Sequence, residues 1–431
     1  MGATHTPEHR TVAQLTPEFL AAPWIAEHLR KRWSLVAGIG GALTVLGFLL
    51  ARHGGTFESN QHFYRAYLVG FMFCLGLSMG SLVLLMLSHV TGGKWGVVIR
   101  RILEASTRNL WLVALMFIGV AAGIAYLYPW AGKFPYGFNP VAQHAIDHRQ
   151  PYLSVKWFMV RGIFYFLSWG LFAWLFNRWS LLVDQPAPSE DAYHRLRLRF
   201  MRLGGGGLVF YAITITLAAI DWVMSLDPLW YSTIWGMIYM VGQALLALSF
   251  TVVILVMLSR YEPMKSILRI SELHDIGNLT LAFVMLYTYV SFSQFIIIWS
   301  GNLPEEVPWY MARVQHGWKP VMVVLVLIHF ALPFLLLLNR SLKRRGPQLA
   351  AVALLIIFAR YGDLFWHIVP NFRDVSGLTG HFFLTWMDIV VPLAMSATWF
   401  AFFFHELKKR PLIPAYHHLT PEILEQSHGA H

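Results

Sequence analysis

Ten apolar runs, each long enough to cross a bilayer, leave this chain of 431 residues one kind of environment to fold in. They extend from Trp33 to Ala51, Arg65 to Val90, Asn109 to Tyr128, Val155 to Val183, Leu203 to Ser225, Trp230 to Leu258, Asp275 to Trp299, Gly317 to Asn339, Pro347 to Pro370 and Gly380 to His405. A helix of about 20 residues spans the hydrocarbon layer, and inside that layer every backbone N–H and C=O must find its partner within the protein. The sequence therefore predicts an all-α, polytopic integral membrane protein with ten transmembrane helices. Only 13% of the residues are charged, about half the share usual in a soluble domain. Residues 1–32 are polar, with no apolar leader ahead of a small-residue cleavage site. The expected organisation is a tail over 1–32, a membrane domain over 33–405 and a second tail over 406–431.

The net charge of +11 is distributed unevenly. Arg30, Lys31, Arg32, Lys94, Arg195, Arg197, Arg199, Arg202, Arg344, Arg345, Lys408, Lys409 and Arg410 fall on the side that ten spans give to both termini. The opposite loops carry few, among them Arg52, Lys133, Arg149, Lys156 and Arg373. By the positive-inside rule the termini are cytoplasmic. The basic excess thus reports topology, and lipid rather than nucleic acid is the expected surrounding.

Cofactor chemistry is narrowed by what the chain can offer as ligands. Cys74 is the single cysteine, which excludes a disulfide framework, a cysteine zinc site or an iron–sulfur cluster held by this chain alone. The histidines near the spans are too scattered to supply paired axial ligands for b-type haems. No G-x-S-x-G or H-E-x-x-H motif is present. No cofactor or metal of its own is expected.

Ionisable groups inside the spans are the informative exceptions. An intramembrane charge costs about 3 kcal/mol or more at the bilayer centre, so it turns inward to partners, water or a transported particle. Arg360, Asp363 and His367 lie within about 60° of one another on a helix and share one face. Counting about 1.5 Å per residue puts them, with Arg161 and Asp221, in the half of the membrane away from the termini. These five form a static salt-bridge lock, a proton path or a quinone-side polar pocket. His329 precedes Pro333 by four residues and Asp388 precedes Pro392 by four, so each carbonyl loses its helical donor and each side chain should sit beside a bend. Both are weaker path candidates. Asp227, ahead of Pro228, reads as an N-cap for helix six, and Glu272 as a cap or a proton entrance for helix seven.

Polar stripes accompany these groups: Tyr67, Cys74, Ser78, Ser81 and Ser88 on helix two, Arg161, Tyr165 and Ser168 on helix four, Tyr287, Ser291 and Gln294 on helix seven. They are either hydrogen-bonding glue or the lining of a wet route. Gly76 with Gly80, and Gly119 with Gly123, predict close helix packing. Gly204 to Gly207 predicts a tight or bent start to helix five. Trp130, Trp157, Trp230, Trp299, Trp309, Trp318 and Trp366 are expected in an interfacial belt. Leu15-Thr16-Pro17-Glu18 and Leu419-Thr420-Pro421-Glu422 each predict a short helix in a tail.

The run from Asp221, DWVMSLDPLWYSTIWGMIYM, and the run from Asp275, DIGNLTLAFVMLYTYVSFSQFIIIWSGNLPEE, resemble the second polysulfide-reductase-like (NrfD-like) membrane subunit of alternative complex III, a quinol:cytochrome c oxidoreductase of bacterial respiration. The resemblance extends over essentially the whole chain. It implies two four-helix bundles, helices 2–5 (65–225) and 6–9 (230–370), flanked by helices 1 and 10, in a bacterial cytoplasmic (inner) membrane. It implies as partners a homologous NrfD-like subunit, an iron–sulfur/molybdopterin-enzyme-like subunit and c-type cytochrome subunits, often beside an oxygen reductase. Haem c and iron–sulfur clusters then reside in those partners, and quinone is a candidate ligand of the membrane region. The expected function is a subunit without a redox centre, not catalytic alone, that supports quinol oxidation and proton movement through its polar helix faces. The rival is a stand-alone proton-coupled transporter, for which interrupted helices and midplane charges are equally expected.

Overall fold

The computed structural model describes residues 20–132, 134, 140–185, 189–372 and 381–414. The described residues contain no strand, and ten helices are long and apolar enough to span a membrane. We number these α1 (Trp24–His53), α2 (Phe57–Thr91), α3 (Lys94–Ala122), α4 (Val155–Asp184), α5 (Asp191–Leu226), α6 (Trp235–Leu258), α7 (Ile270–Gly301), α8 (Lys319–Leu338), α9 (Gly346–Asn371) and α10 (Trp386–Leu407). Leu412 N–H donates to the Leu20 carbonyl at 2.8 Å, so the two described ends meet on one face of the protein. We call this the terminal face and the opposite one the outer face. The two tail motifs, and Lys133 and Arg373, lie outside the described residues.

Burial sorts the helices by what they touch. The spans of α2 and α6 are almost wholly buried, as expected of helices surrounded by other helices. They pack against each other, α2 also against α3, α5 and α10, and α6 against α5, α7 and α9. Small residues bring the two together: a Cβ on Gly80 would stand 1.9 Å from the Gln243 carbonyl oxygen. With no hydrophobic drive between helices in lipid, such close approach is what holds them. Gly119 and Gly123 do the same for α3, receiving the rings of Tyr67 and Tyr64 from α2. At the edge, α1 packs chiefly on α10 and exposes Leu35, Ile39, Val45 and Leu49 outward.

Several local expectations change. The glycines at 204–207 lie within the continuous helix of α5 rather than at a bent start, because Gly204 and Gly207 face Met86 of α2 and serve close packing. Asp227 does not cap α6, which starts at Trp235; its carboxylate accepts the Leu229 N–H at 2.9 Å and closes a local turn instead. Glu272 accepts the Arg269 N–H at 2.9 Å, an ordinary cap at the start of α7. Trp157 and Trp299 are exposed as a belt requires, but Trp230, Trp309 and Trp318 are buried. Trp230 stacks on Trp309 at 4.4 Å, so these rings are core.

The terminal face is fastened by charges. Glu104, 1% exposed, accepts from Arg101 at 2.8 Å and from Ser180 at 2.5 Å, and Arg410 reaches it at 3.3 Å. Arg108 binds Glu406 at 2.7 Å and Asn177 at 2.8 Å. This network ties α3, α4 and the end of α10 together.

Candidate functional site

The five strongest candidates fall into two clusters rather than one. In the first, α4 carries Arg161 and Tyr165 on one face because four residues make about one turn, and both reach Asp221 near the outer end of α5. Arg161 donates twice, Nε to Oδ2 and NH2 to Oδ1, each at 2.8 Å, and the Tyr165 hydroxyl donates to Oδ2 at 2.9 Å. Asp221 is fully buried. Arg161 also donates to the Tyr152 carbonyl at 2.9 Å and lies 3.9 Å over its ring. Burial, helped by the Asp221 charge, pushes the Tyr152 phenol up to about 12, so it stays a neutral cover. A fork-to-fork arginine–carboxylate pair is the strongest geometry available to these side chains.

The second cluster lies between α7, α8 and α9. Arg360, Asp363 and His367 do project from one face of α9, and all three are buried. Arg360 NH1 contacts Asp363 Oδ2 and donates to the Tyr287 hydroxyl at 2.9 Å, which in turn donates to Asp363 Oδ2 at 2.6 Å. Two histidines face the same carboxylate, His367 Nδ1 at 3.8 Å and His329 Nδ1 at 4.0 Å. His329 reaches it from α8, whose middle winds as a π-helix over Val326–Ala331 just ahead of Pro333. Such a turn recurs at functional sites because it re-aims side chains and loosens the backbone ladder. Room for Arg360 comes from Gly242 of α6, where a Cβ would stand 2.4 Å from the guanidinium carbon.

Hydrogen bonding here is incomplete. The Tyr239 hydroxyl, both ends of the Gln294 amide, His329 Nε2 and His367 Nδ1 are buried without a hydrogen-bond partner among the described residues. Each such atom costs about 1–3 kcal/mol, a cost that native interiors carry where the group has work to do. Towards the outer face His367 is ringed by Trp235, Tyr239, Trp309 and Trp366, and its carbonyl accepts from Arg313 at 2.8 Å. Arg313 is fully buried against Trp309, 3.5 Å below its guanidinium, and its other acceptors are the Trp309 carbonyl and the Asn371 amide oxygen. No carboxylate is among them, and burial pushes the guanidinium down to about 9. Towards the terminal face α9 itself is apolar from Leu349 to Ala359.

Asp388 belongs to neither cluster. It sits in the first turn of α10, caps Thr385 N–H at 2.8 Å, and pairs with Arg65 of α2 at 2.8 Å, both side chains fully buried. The carbonyl that Pro392 deprives of its helical donor receives the Tyr361 hydroxyl of α9. The bend site is therefore filled by protein. Sequence reading took Arg65 only as the first residue of the second span and left Glu104 and Gly242 unremarked. The signal available for Arg65 and Asp388 was a charge at each of two span ends on the same side of the membrane.

The stripe residues of α2 act as glue: the Trp399 indole donates to Ser78 at 2.9 Å, Tyr67 donates to the Met116 carbonyl at 2.9 Å, and Ser81 bonds its own helix. Tyr211 of α5 donates to Gln243 of α6 at 2.8 Å, between the two clusters. Among the described residues no hydrogen bond or ion pair joins Asp221 to Asp363. Fold and site together define a multi-pass α-helical membrane protein with one closed and one open charge cluster in its interior. No protein-family model and no curated protein matches the chain.

Proposed function

We propose that this chain is an NrfD-like membrane subunit of an alternative complex III, a respiratory quinol:cytochrome c oxidoreductase, and that its second cluster handles protons released at the outer face. The observation that carries the proton role is Asp363, a buried carboxylate met by an arginine, a tyrosine and two histidines beside polar atoms with no protein partner. A group that exchanges protons must have donors and acceptors within reach in both of its states. The apolar segment 349–359 of α9 offers no polar side chain towards the terminal face, which supports a route directed to the outer face. The family assignment is supported by the two runs from Asp221 and Asp275, and it brings the partners with it: the sister membrane subunit, the iron–sulfur/molybdopterin-enzyme-like subunit and c-type cytochromes.

In this reading α2–α5 and α6–α9 are two four-helix units, with α1 and α10 outside them. The packing of α1 on α10, and the central place of the first helix of each unit, support the division. The basic terminal face is then cytoplasmic, in a bacterial inner membrane. The test is Asp363→Asn in the assembled complex: quinol oxidation or its proton release falls while assembly is unchanged. Full activity with unaltered proton stoichiometry would reduce the cluster to a structural lock. The π-helical interruption of α8 also suits a stand-alone proton-coupled transporter. Purification decides between them, through co-isolation with haem-bearing partners or a colourless protein that moves a solute.

A further inference from the structure

Between α3 and α4 the chain forms a ten-residue helix on the outer face, Pro140–Arg149. His144 and His148 stand four residues apart on it, which brings both to one side, a single turn from each other. Both are exposed, and their rings lie 19° from parallel with centroids 6.4 Å apart. Neither ring has a hydrogen-bond or ion-pair partner among the described residues. Each can therefore turn a nitrogen towards a shared ligand.

The helix beneath them is anchored. Ala142 is buried, and Arg149 at the last position donates to the Trp230 carbonyl at 3.4 Å. The Arg149 carbonyl accepts the Tyr152 and Leu153 N–H groups at 3.0 and 2.7 Å, which closes the chain back towards α4. The one carboxylate of the helix, Asp147, lies within a turn of both histidines and accepts from Gln143 at 2.9 Å. Its charge favours a cation on this side.

We infer that His144 and His148 form a chelating site for a divalent transition-metal ion, copper or zinc, with water completing the shell. Histidines at this helical spacing can both ligate one ion, and imidazole is a preferred donor for these metals, copper binding ahead of zinc. Two protein ligands leave open positions, so the ion exchanges with solution rather than building the fold. A bound ion staples one turn of the helix. Tyr152, three residues beyond its end, lies 3.9 Å from the Arg161 guanidinium that grips Asp221, so occupancy also stiffens the cover of the closed cluster.

The full chain, purified in detergent on a histidine-free tag with any partners that accompany it, is stripped with a chelator. It is then titrated with Cu²⁺ or Zn²⁺ alone. Nineteen histidines bring weaker sites, so the difference between variants is what is read. His144→Gln and His148→Gln are each expected to weaken the tightest binding about tenfold or more, the effective concentration of the second imidazole being lost. At one equivalent of Cu²⁺, electron paramagnetic resonance should show two coordinating nitrogens in the wild type and one in either variant. Val141→His/His144→Gln keeps two histidines on exposed positions of the helix but sets them about 10 Å apart along its axis; it should bind no better than His144→Gln. Amide exchange over residues 140–153 should slow with metal in the wild type and not in His144→Gln/His148→Gln. Wild-type affinity in the respaced variant, or equal binding in the wild type and the double glutamine variant, would overturn the inference.

Discussion

Asp221 and Asp363 occupy comparable places, near the outer ends of α5 and α9, each buried and each beside an arginine. Their surroundings differ in kind. Asp221 is gripped by two nitrogens of one guanidinium and by a tyrosine, so both its oxygens are engaged. Asp363 takes its arginine and Tyr287 on one oxygen, while two histidines wait near 4 Å with ring nitrogens unpaired. An ion pair of the first type rigidifies; one of the second type has somewhere to pass a proton. The same two residue types, arginine and aspartate, thus sit in opposite settings, set by how many alternatives surround the carboxylate.

The largest expected effect tests the closed cluster. Arg161→Met leaves Asp221 charged and unmatched in the interior, which should cost about 3–5 kcal/mol and lower the melting temperature in detergent sharply. Arg161→Met/Asp221→Leu should regain most of that loss, and failure to do so would mean the pair is more than a lock. Next in size, Asp363→Asn should reduce turnover of the assembled complex by about a hundredfold, the lower range for loss of a positioned acid–base group; it also leaves Arg360 buried without its carboxylate, so the melting temperature should fall, and Arg360→Gln/Asp363→Asn should recover stability but not turnover. If Asp221→Asn lowers turnover equally without loss of stability, the contrast fails. Gly242→Ala drives a methyl against the Arg360 guanidinium and should cost about 1–3 kcal/mol as overpacking, read as a turnover defect larger than any in Gly205→Ala, where nothing lies within 4 Å. The smallest effect is expected from Arg313→Gln. Its hydrogen-bond acceptors are neutral and Asp227 acts on it only through its field, so the stability change should stay near ~1 kcal/mol. A drop of Arg161→Met size would show that the field of Asp227 is worth as much as a direct ion pair.

Much of the architecture was legible because the bilayer enforces it: length and apolarity gave ten spans, and both described ends meet on one face as an even number requires. The face shared by Arg360, Asp363 and His367 followed from helical spacing alone. What spacing does not contain is which helices are neighbours. The five charged candidates were expected to act together, yet α2 and α6, approaching through Gly76, Gly80 and Gln243, stand at the centre and each aspartate finds its partners at the side. Asp388 misled for a related reason. A proline four residues on does free its carbonyl, but the helix begins only at Trp386, so its side chain was committed to capping and to Arg65. The buried tryptophans were misread because a ring near a span end looks alike whether it faces lipid or another ring.

The contact between Gly80 and the Gln243 carbonyl has a mechanical corollary. Two backbones already at touching distance have no slack for sliding past one another, since any shear would drive side chains into the gap that glycine keeps clear. Relative movement of the helices on either side is thereby confined to tilting about this point, a pivot deep in the bilayer, with the widest excursions at the outer ends. Asp363, His367 and the ring of tryptophans stand on the long arm of that lever.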